Sequence, residues 1–299
     1  MNTQLAQSIS VLQNIISNGG PETTEYETLQ NAVDAISEEY KSGKISNETI
    51  ELLKSGFSEE CLKTTLHGHA LTKPFGYAGD FLIIDKLYRE QVTEDMRFQK
   101  WDIFWHNLAA AKAVRNRKDY FIKTMVDRLN CNENLSLLNV ASGPARDLAE
   151  LYKTLPWESD LQTVCVEADN YAINYARKLN QPNENCITFI HKNIFGFSTE
   201  VKFDIVWSAG LFDYFDDKTF VRLIKKFMGF TKPGGEIIIG NFGLENPSRS
   251  CMELVGDWYL QHRSTERLIE MAVEAGIQQG NIYVGSEQEG VNLFLHLIV

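Results

Sequence analysis

The stretch Leu137-Leu138-Asn139-Val140-Ala141-Ser142-Gly143-Pro144-Ala145-Arg146-Asp147 decides the fold of this 299-residue chain. An apolar run, read as a buried strand, ends in a turn of small residues and leads into a helix spanning Leu148 to Leu155. A second apolar run, Thr163-Val164-Cys165-Val166, ends on an acid, Glu167. Small residues after one strand let a flat ligand lie against the backbone. An acid closing the next strand can hold a ribose by its hydroxyls. Together they point to a nucleoside-containing cofactor in a doubly wound α/β domain.

Outward from this stretch the pattern is that of βαβ units. Short β-type runs recur at 136–140, 163–167, 187–191, 203–208 and 235–241, alternating with helical stretches, which predicts a mostly parallel sheet. The helix Thr219 to Phe230 precedes a Lys232-Pro233-Gly234-Gly235 turn. The segments 281–285 and 292–299 read as an antiparallel hairpin. Upstream, residues 1 to about 130 read as helical. Leu5, Ile9, Leu12, Ile15 and Ile16 recur at helical spacing up to Asn18-Gly19-Gly20, and further helices are predicted from Thr24 to Tyr40, from a Ser46 or Asn47 cap through Leu53, over 81–89, and as one long helix from Phe98 to Leu129. Between them lies Lys73-Pro74-Phe75-Gly76-Tyr77-Ala78-Gly79-Asp80, a turn-rich segment with two aromatics, where Asp80 can cap the next helix. The chain thus divides into a helical region, 1–130, and a sheet domain, 131–299.

An apolar content of 43% suffices for one large core or a core plus a smaller domain. The net charge of −11 leaves no broad basic face for phosphate backbones, so nucleic acid is not an expected partner. Met1 to Ser10 carries no basic or apolar leader, and no run approaches ~18 apolar residues. A cytoplasmic protein without stable membrane association is expected. Five cysteines (Cys61, Cys131, Cys165, Cys186, Cys251) form no CxxC pair; they read as reduced, Cys165 as a core residue, and no metal site is expected.

The dinucleotide fingerprint GxGxxG sets glycines where a pyrophosphate meets a helix start. Here the small positions are Ala141, Gly143 and Ala145, a different spacing with one glycine. That suits a cofactor presenting an adenosine and an amino-acid tail, provided the two alanines avoid positive φ. With the terminal hairpin, the region 135–299 resembles the class I S-adenosylmethionine-dependent methyltransferases. The resemblance implies a Rossmann-like seven-stranded sheet with a carboxyl-terminal antiparallel hairpin and S-adenosyl-L-methionine as cofactor. It places Ala141, Ser142, Gly143, Pro144 and Asp147 at the first-strand turn, Glu167 on the ribose, Ala168 and Asp169 beside it, and Asn193 and Ile194 at the adenine. Ser208, Ala209 and Gly210 fall below the reactive sulfonium. Read as residues alone, Asn193 also fits an ordinary turn, Asp147 a structural acid at a helix start, and Asp204 a structural acid.

Further stretches narrow the resemblance: the segment 73–80, Ala113-Val114-Arg115-Asn116-Arg117, Ser208 through Tyr214, and Gly256-Asp257-Trp258-Tyr259 with Arg263. They are similar to the bacterial methyltransferases that make 3-hydroxy fatty acid methyl ester quorum-sensing signals. The likeness covers about 73–299, and it implies a small-molecule acceptor and methyl transfer to a carboxylate or acyl substrate. Tyr77 is then expected to touch both cofactor and acceptor from an aromatic loop. Arg115, favoured over Arg117, would pair with a carboxylate of the cofactor tail or of the acceptor. Tyr77, Asp213, Tyr214 and His262 are the candidate catalytic groups, with His67, His69 and His106 as further candidate bases. A carboxylate acceptor needs no base, because it is already ionised at neutral pH.

Other readings stay open: N- or C-methylation of another small metabolite, a binding module that has lost turnover, and a nicotinamide-dependent oxidoreductase, which the missing GxGxxG disfavours. The turn after the fourth strand also lacks the Asn/Asp-Pro-Pro-aromatic run suited to planar exocyclic amines. The amino-terminal amphipathic helices suit a lid and a dimer contact equally, so a homodimer is among the expected assemblies.

Overall fold

Two groups of elements emerge in the computed structural model, which describes residues 3–131, 134–155 and 160–299. The reading of Met1–Ser10 lies in part outside them. One unit comprises the residues up to Lys112 together with Asn246–Tyr259; the other comprises Ala113–Glu245 and Leu260–Val299. This division falls before the 130 read from the sequence, inside a helix, and returns a later segment to the first unit.

The first unit is helical: α1 (Thr3–Ser17), α2 (Tyr26–Lys41), α3 (Asn47–Lys54), α4 (Glu59–Thr64), α5 (Leu66–Thr72), α6 (Phe81–Tyr88), α7 (Gln99–Asn107) and the start of α8 (Ala109–Cys131). In α1 the buried face is Leu5, Ser8, Leu12 and Ile15, the spacing of one helical stripe. Side-chain caps start the short helices: Ser46 accepts from the Thr49 N–H, and Asp80 accepts from the Leu82 and Ile83 N–H groups. The long helix expected from Phe98 to Leu129 is broken at Leu108, whose ψ of 139° is extended. Ser248 supplies the reason: its hydroxyl accepts the Ala110 N–H at 3.2 Å, starting a new helix from a residue far along the chain. α4 and α5 fall inside the region read as helical, where the sequence gives them no bounds of their own.

The second unit is a seven-stranded sheet in the order β3-β2-β1-β4-β5-β7-β6. Its strands are β1 (Asn134–Val140), β2 (Asp160–Glu167), β3 (Ile187–His191), β4 (Phe203–Ser208), β5 (Thr231–Phe242), β6 (Ile282–Ser286) and β7 (Asn292–Ile298). The first five are parallel, and β7 runs antiparallel between β5 and β6. The connecting helices are α9 (Arg146–Thr154), α10 (Asn170–Leu179), α11 (Asp217–Met228) and α12 (Thr265–Ala275). This is the expected Rossmann-like sheet with its terminal hairpin. Alternate residues of β1 face two cores. Leu138 and Val140 join Phe212, Phe220 and Phe227 on one side, while Leu137 joins Phe121, Trp207 and Cys165 on the other. Asp204 sits at the start of β4, where Oδ2 accepts from the Ser136 N–H at 2.8 Å and from Lys232 Nζ at 2.8 Å. It is a structural acid at the end of the sheet opposite the β1 turn. Among the described residues, no helix is long and apolar enough to cross a membrane.

Candidate active site

The carboxyl edge of β1 builds the turn that the sequence pointed to. Ala141 still donates its N–H to the Val166 carbonyl at 2.8 Å, and the chain then leaves the sheet. Ala141, Gly143 and Ala145 all stand at positive φ: 54°, 53° and 49°. The proviso that the alanines avoid this region therefore fails. The alternation of left-handed residues is a property of the turn, and the two methyl groups are carried in it at a cost of about 1–2 kcal/mol each. A Cβ on Gly143 would meet nothing within 4 Å, so the turn presents bare backbone to an open side.

Glu167 closes this turn from the end of β2. Its Oε2 accepts the Gly143 N–H at 2.9 Å, while Oε1 accepts the N–H groups of Ala168 at 2.7 Å and Asp169 at 2.9 Å. Burial pushes its carboxyl above the ordinary value, opposed by these three donors. A carboxylate offers about four acceptor positions. Three are used by the chain, leaving one on Oε2. Ala168 is exposed, and Asp169 caps α10 by accepting the Tyr171 N–H. Asn193 is exposed and caps the single turn 194–196 by accepting the Phe195 N–H at 3.0 Å, with Ile194 buried beside it. Its oxygen thus already serves the chain's own turn.

The turn after β4 lies on the side of β1 away from β2. Ser208 is fully buried and donates its hydroxyl to the Val140 carbonyl at 3.1 Å, tying the ends of β4 and β1 together. The Ala209 carbonyl accepts from Arg117 Nη1 at 3.3 Å, and a Cβ on Gly210 would stand 2.8 Å from the same nitrogen. Arg117 is buried, whereas Arg115 is half-buried; two residues apart on α8, they point to different faces. Two buried acids feel Arg117. Burial pushes Asp147, in the first turn of α9, up to about 6; the Leu148 N–H and Arg117 pull the other way. Burial likewise pushes Asp213 up to about 6, against the Phe242 N–H, Arg117 and Arg263. Asp213 Oδ1 accepts the Phe242 N–H at 2.6 Å.

Arg263 holds this turn in shape. Its Nε donates to Asp217 at 2.9 Å, Nη1 to Asn241 Oδ1 at 2.8 Å and to the Phe212 carbonyl, and Nη2 to the Phe215 carbonyl, with the guanidinium 4.8 Å over the Phe220 ring. Tyr214 stands partly exposed on the same turn. His262 donates from Nδ1 to the Leu260 carbonyl at 3.1 Å. Pro144 lies within the β1 turn, between two of its left-handed residues.

Tyr77 belongs to the first unit. Its loop, with Gly76 and Gly79 at positive φ, is closed at the base by His69 Nε2 and Asp80 Oδ2 at 2.7 Å. Phe75 packs edge-on to Phe81, and Lys73 pairs with Asp257 at 2.5 Å. His67 lies fully buried among Phe57, Trp101 and Trp105, which pushes its pKa down to about 3. His106 contacts the Gln91 carbonyl. Both therefore serve their own unit. Sequence reasoning missed Asn180, the buried C-cap of α10, whose Nδ2 donates to the Ala145 carbonyl at 3.0 Å. No local pattern marks an asparagine for a partner 35 positions away.

Residues 137–235 match the family described as a methyltransferase domain. No curated protein matches the sequence. Among solved structures, a possible exported protein from Bordetella parapertussis shares the fold at a TM-score of 0.65 and 16% identity, over 99% of this chain and 95% of that one. The magnesium protoporphyrin IX methyltransferase of Synechocystis PCC 6803, crystallised with bound SAH, superposes at 0.53 with 10% identity, over 78% and 97%. From β1 to the start of β5, the strands that shape the described turns, the chain is similar to a methyltransferase domain.

Proposed function

We propose that this chain is an S-adenosylmethionine-dependent methyltransferase acting on a small molecule, and that its reaction is O-methylation of a carboxylate or acyl acceptor, as in the signal-producing bacterial group its sequence resembles. The observation that carries the reading is the tie from Gly143 N–H to Glu167 Oε2, which locks the bare turn after β1 to the acid ending β2. The residues present fit the cofactor. Asn139 Nδ2 is a buried polar atom with no hydrogen-bond partner among the described residues, two positions before a turn whose glycine opens outward. Such groups are costly unless a ligand answers them.

Glu167 would accept a ribose hydroxyl on its remaining position, with Ala168 and Asp169 alongside. Asn193 and Ile194 would bound the adenine; Ala141, Ser142, Gly143, Pro144 and Asp147 would line the first turn, and Ser208, Ala209 and Gly210 the second. Arg115 is proposed to hold a carboxylate. The cofactor, when bound, supplies an activated sulfonium methyl group. The chain's work is placement and exclusion of water. Asp213 supports an acceptor that needs no deprotonation: it is buried and held by the Phe242 N–H, so a proton taken up there has no direct exchange with solvent. Tyr214, His262 and Tyr77 are proposed to contact the acceptor. The test is calorimetry with S-adenosylhomocysteine, followed by mass spectrometry of transfer from methyl-deuterated cofactor to panels of fatty acids, alcohols and amines. Micromolar binding and labelled esters are expected. Absence of binding ends the cofactor reading, and labelling confined to amines ends the carboxylate reading.

A further inference from the structure

Ala145 is an unusual residue to find where it is. It is fully buried, its φ and ψ of 49° and 35° are left-handed, and it occupies the position before the first turn of α9. That position ordinarily takes an extended backbone and a polar side chain able to cap the helix. Ala145 offers neither, and no side chain caps α9 from there. Its carbonyl instead performs two tasks: it accepts the Ala149 N–H at 3.1 Å, opening the helix, and it accepts Asn180 Nδ2 at 3.0 Å. Its own N–H closes the turn onto the Ser142 carbonyl at 3.0 Å.

Asn180 is buried at the end of α10, and both of its amide hydrogens are spent on carbonyls, those of Ala145 and Ala176. Its Oδ1, equally buried, has no partner among the described residues. An amide flip would set that oxygen against two carbonyl oxygens, so the orientation is settled by its neighbours. A polar side chain kept in the core with one end unanswered is expensive. Its one bond beyond its own helix lands on the strained residue of the β1 turn. We infer that Asn180 is a positioning residue, which holds Ala145 in its left-handed conformation and so keeps the Gly143 turn set for the nucleoside cofactor; the ligand part of this rests on the function proposed above.

The logic fixes the test. If Asn180 works by restraining an alanine that would rather leave the left-handed region, it should matter less once that residue is glycine, which occupies the region without penalty. The measurement is a double-variant cycle on S-adenosylhomocysteine affinity with N180A, A145G and both together. N180A should weaken binding about tenfold in the parent chain, the effect of one hydrogen bond, and by less than about threefold in the A145G background. Amide hydrogen exchange at Ala149 reads the same restraint with no ligand present. Its protection should fall in N180A and recover in the double variant. Should N180A fail to fold, Asn180→Ser, which keeps one donor, enters the same cycle. Equal losses in both backgrounds would overturn the inference and leave Asn180 an ordinary core residue, as would parental affinity and protection in N180A. If the parent chain binds no S-adenosylhomocysteine, the cofactor reading fails on its own, and the exchange cycle at Ala149 still decides whether Asn180 restrains Ala145.

Discussion

Glu167→Gln changes one oxygen of a buried carboxylate to an amide nitrogen while preserving its shape. The carboxylate accepts three N–H groups, two on one oxygen and one on the other. Glutamine has a single acceptor oxygen, which can face Ala168 and Asp169 or face Gly143, but not both. Whichever it chooses, its NH2 group then confronts a donor. With two bonds on one side and one on the other, the Gly143 tie is the one given up. A hydrogen bond to a charged group contributes about 1.5–3 kcal/mol, so S-adenosylhomocysteine should bind between about tenfold and a hundredfold more weakly. The carboxyl's raised pKa adds a second signature. As pH falls through that raised value, Glu167 takes up a proton and comes to resemble the amide. The parent affinity should then drop toward that of the variant, closing the gap between them; what pH dependence the variant keeps belongs to Asp147 and Asp213, both pushed up to about 6. Calorimetric titrations at several pH values, with melting curves to verify folding, read both effects. A folded E167Q protein binding within twofold of the parent, or a gap between the two proteins that does not change with pH, would refute the reasoning.

Asp213→Asn should raise stability at neutral pH. Its folded pKa of about 6 exceeds the ordinary 3.8, so the native state binds the proton more tightly than the unfolded chain, and parent stability falls as pH rises from about 4 to about 6. The gap between variant and parent should widen over that window toward ~3 kcal/mol; thermal melts at pH 4.5 and pH 7.5 showing equal gaps would contradict it. Arg263→Lys keeps the charge but cannot span Asp217, Asn241 and two carbonyls, so a loss of ~3 kcal/mol is expected in denaturant unfolding, and a loss below ~1 kcal/mol would exclude its role as the hub of that turn. Tyr77→Ala should lower turnover about tenfold while cofactor affinity stays within about twofold, the mark of a group that places the acceptor; an unchanged rate would remove that role.

Much of the sheet is legible in the chain because each strand is a short apolar run bounded by its own turn, and Leu137 through Asp147 carry strand, turn and helix start in eleven neighbouring letters. Glu167 is legible for the same reason: it stands directly at a strand end. What sequence reading could not supply is long-range. The break at Leu108 depends on a serine hydroxyl 138 positions from Ala110. That Arg117 reaches the Ala209 carbonyl of the β4 turn is set by the rotation of α8 about its axis, which composition does not encode. The positive φ of Ala141 and Ala145 contradicts the local preference of alanine, so nothing in their own letters announces it.

The membership of Asn246–Tyr259 in the amino-terminal unit bears on any attempt to produce the sheet by itself. A fragment beginning at Ala113 would retain all seven strands and would also inherit Met252, Leu254, Val255 and Trp258, side chains buried in the intact chain. Deprived of α2, against which the 251–255 turn packs, and of Trp105, whose ring lies against Gly256, that strip becomes a sticky apolar surface. Such a truncation should self-associate unless 246–259 is exchanged for a short glycine–serine bridge, so insolubility of the simple fragment would say nothing about whether the sheet can fold unaided.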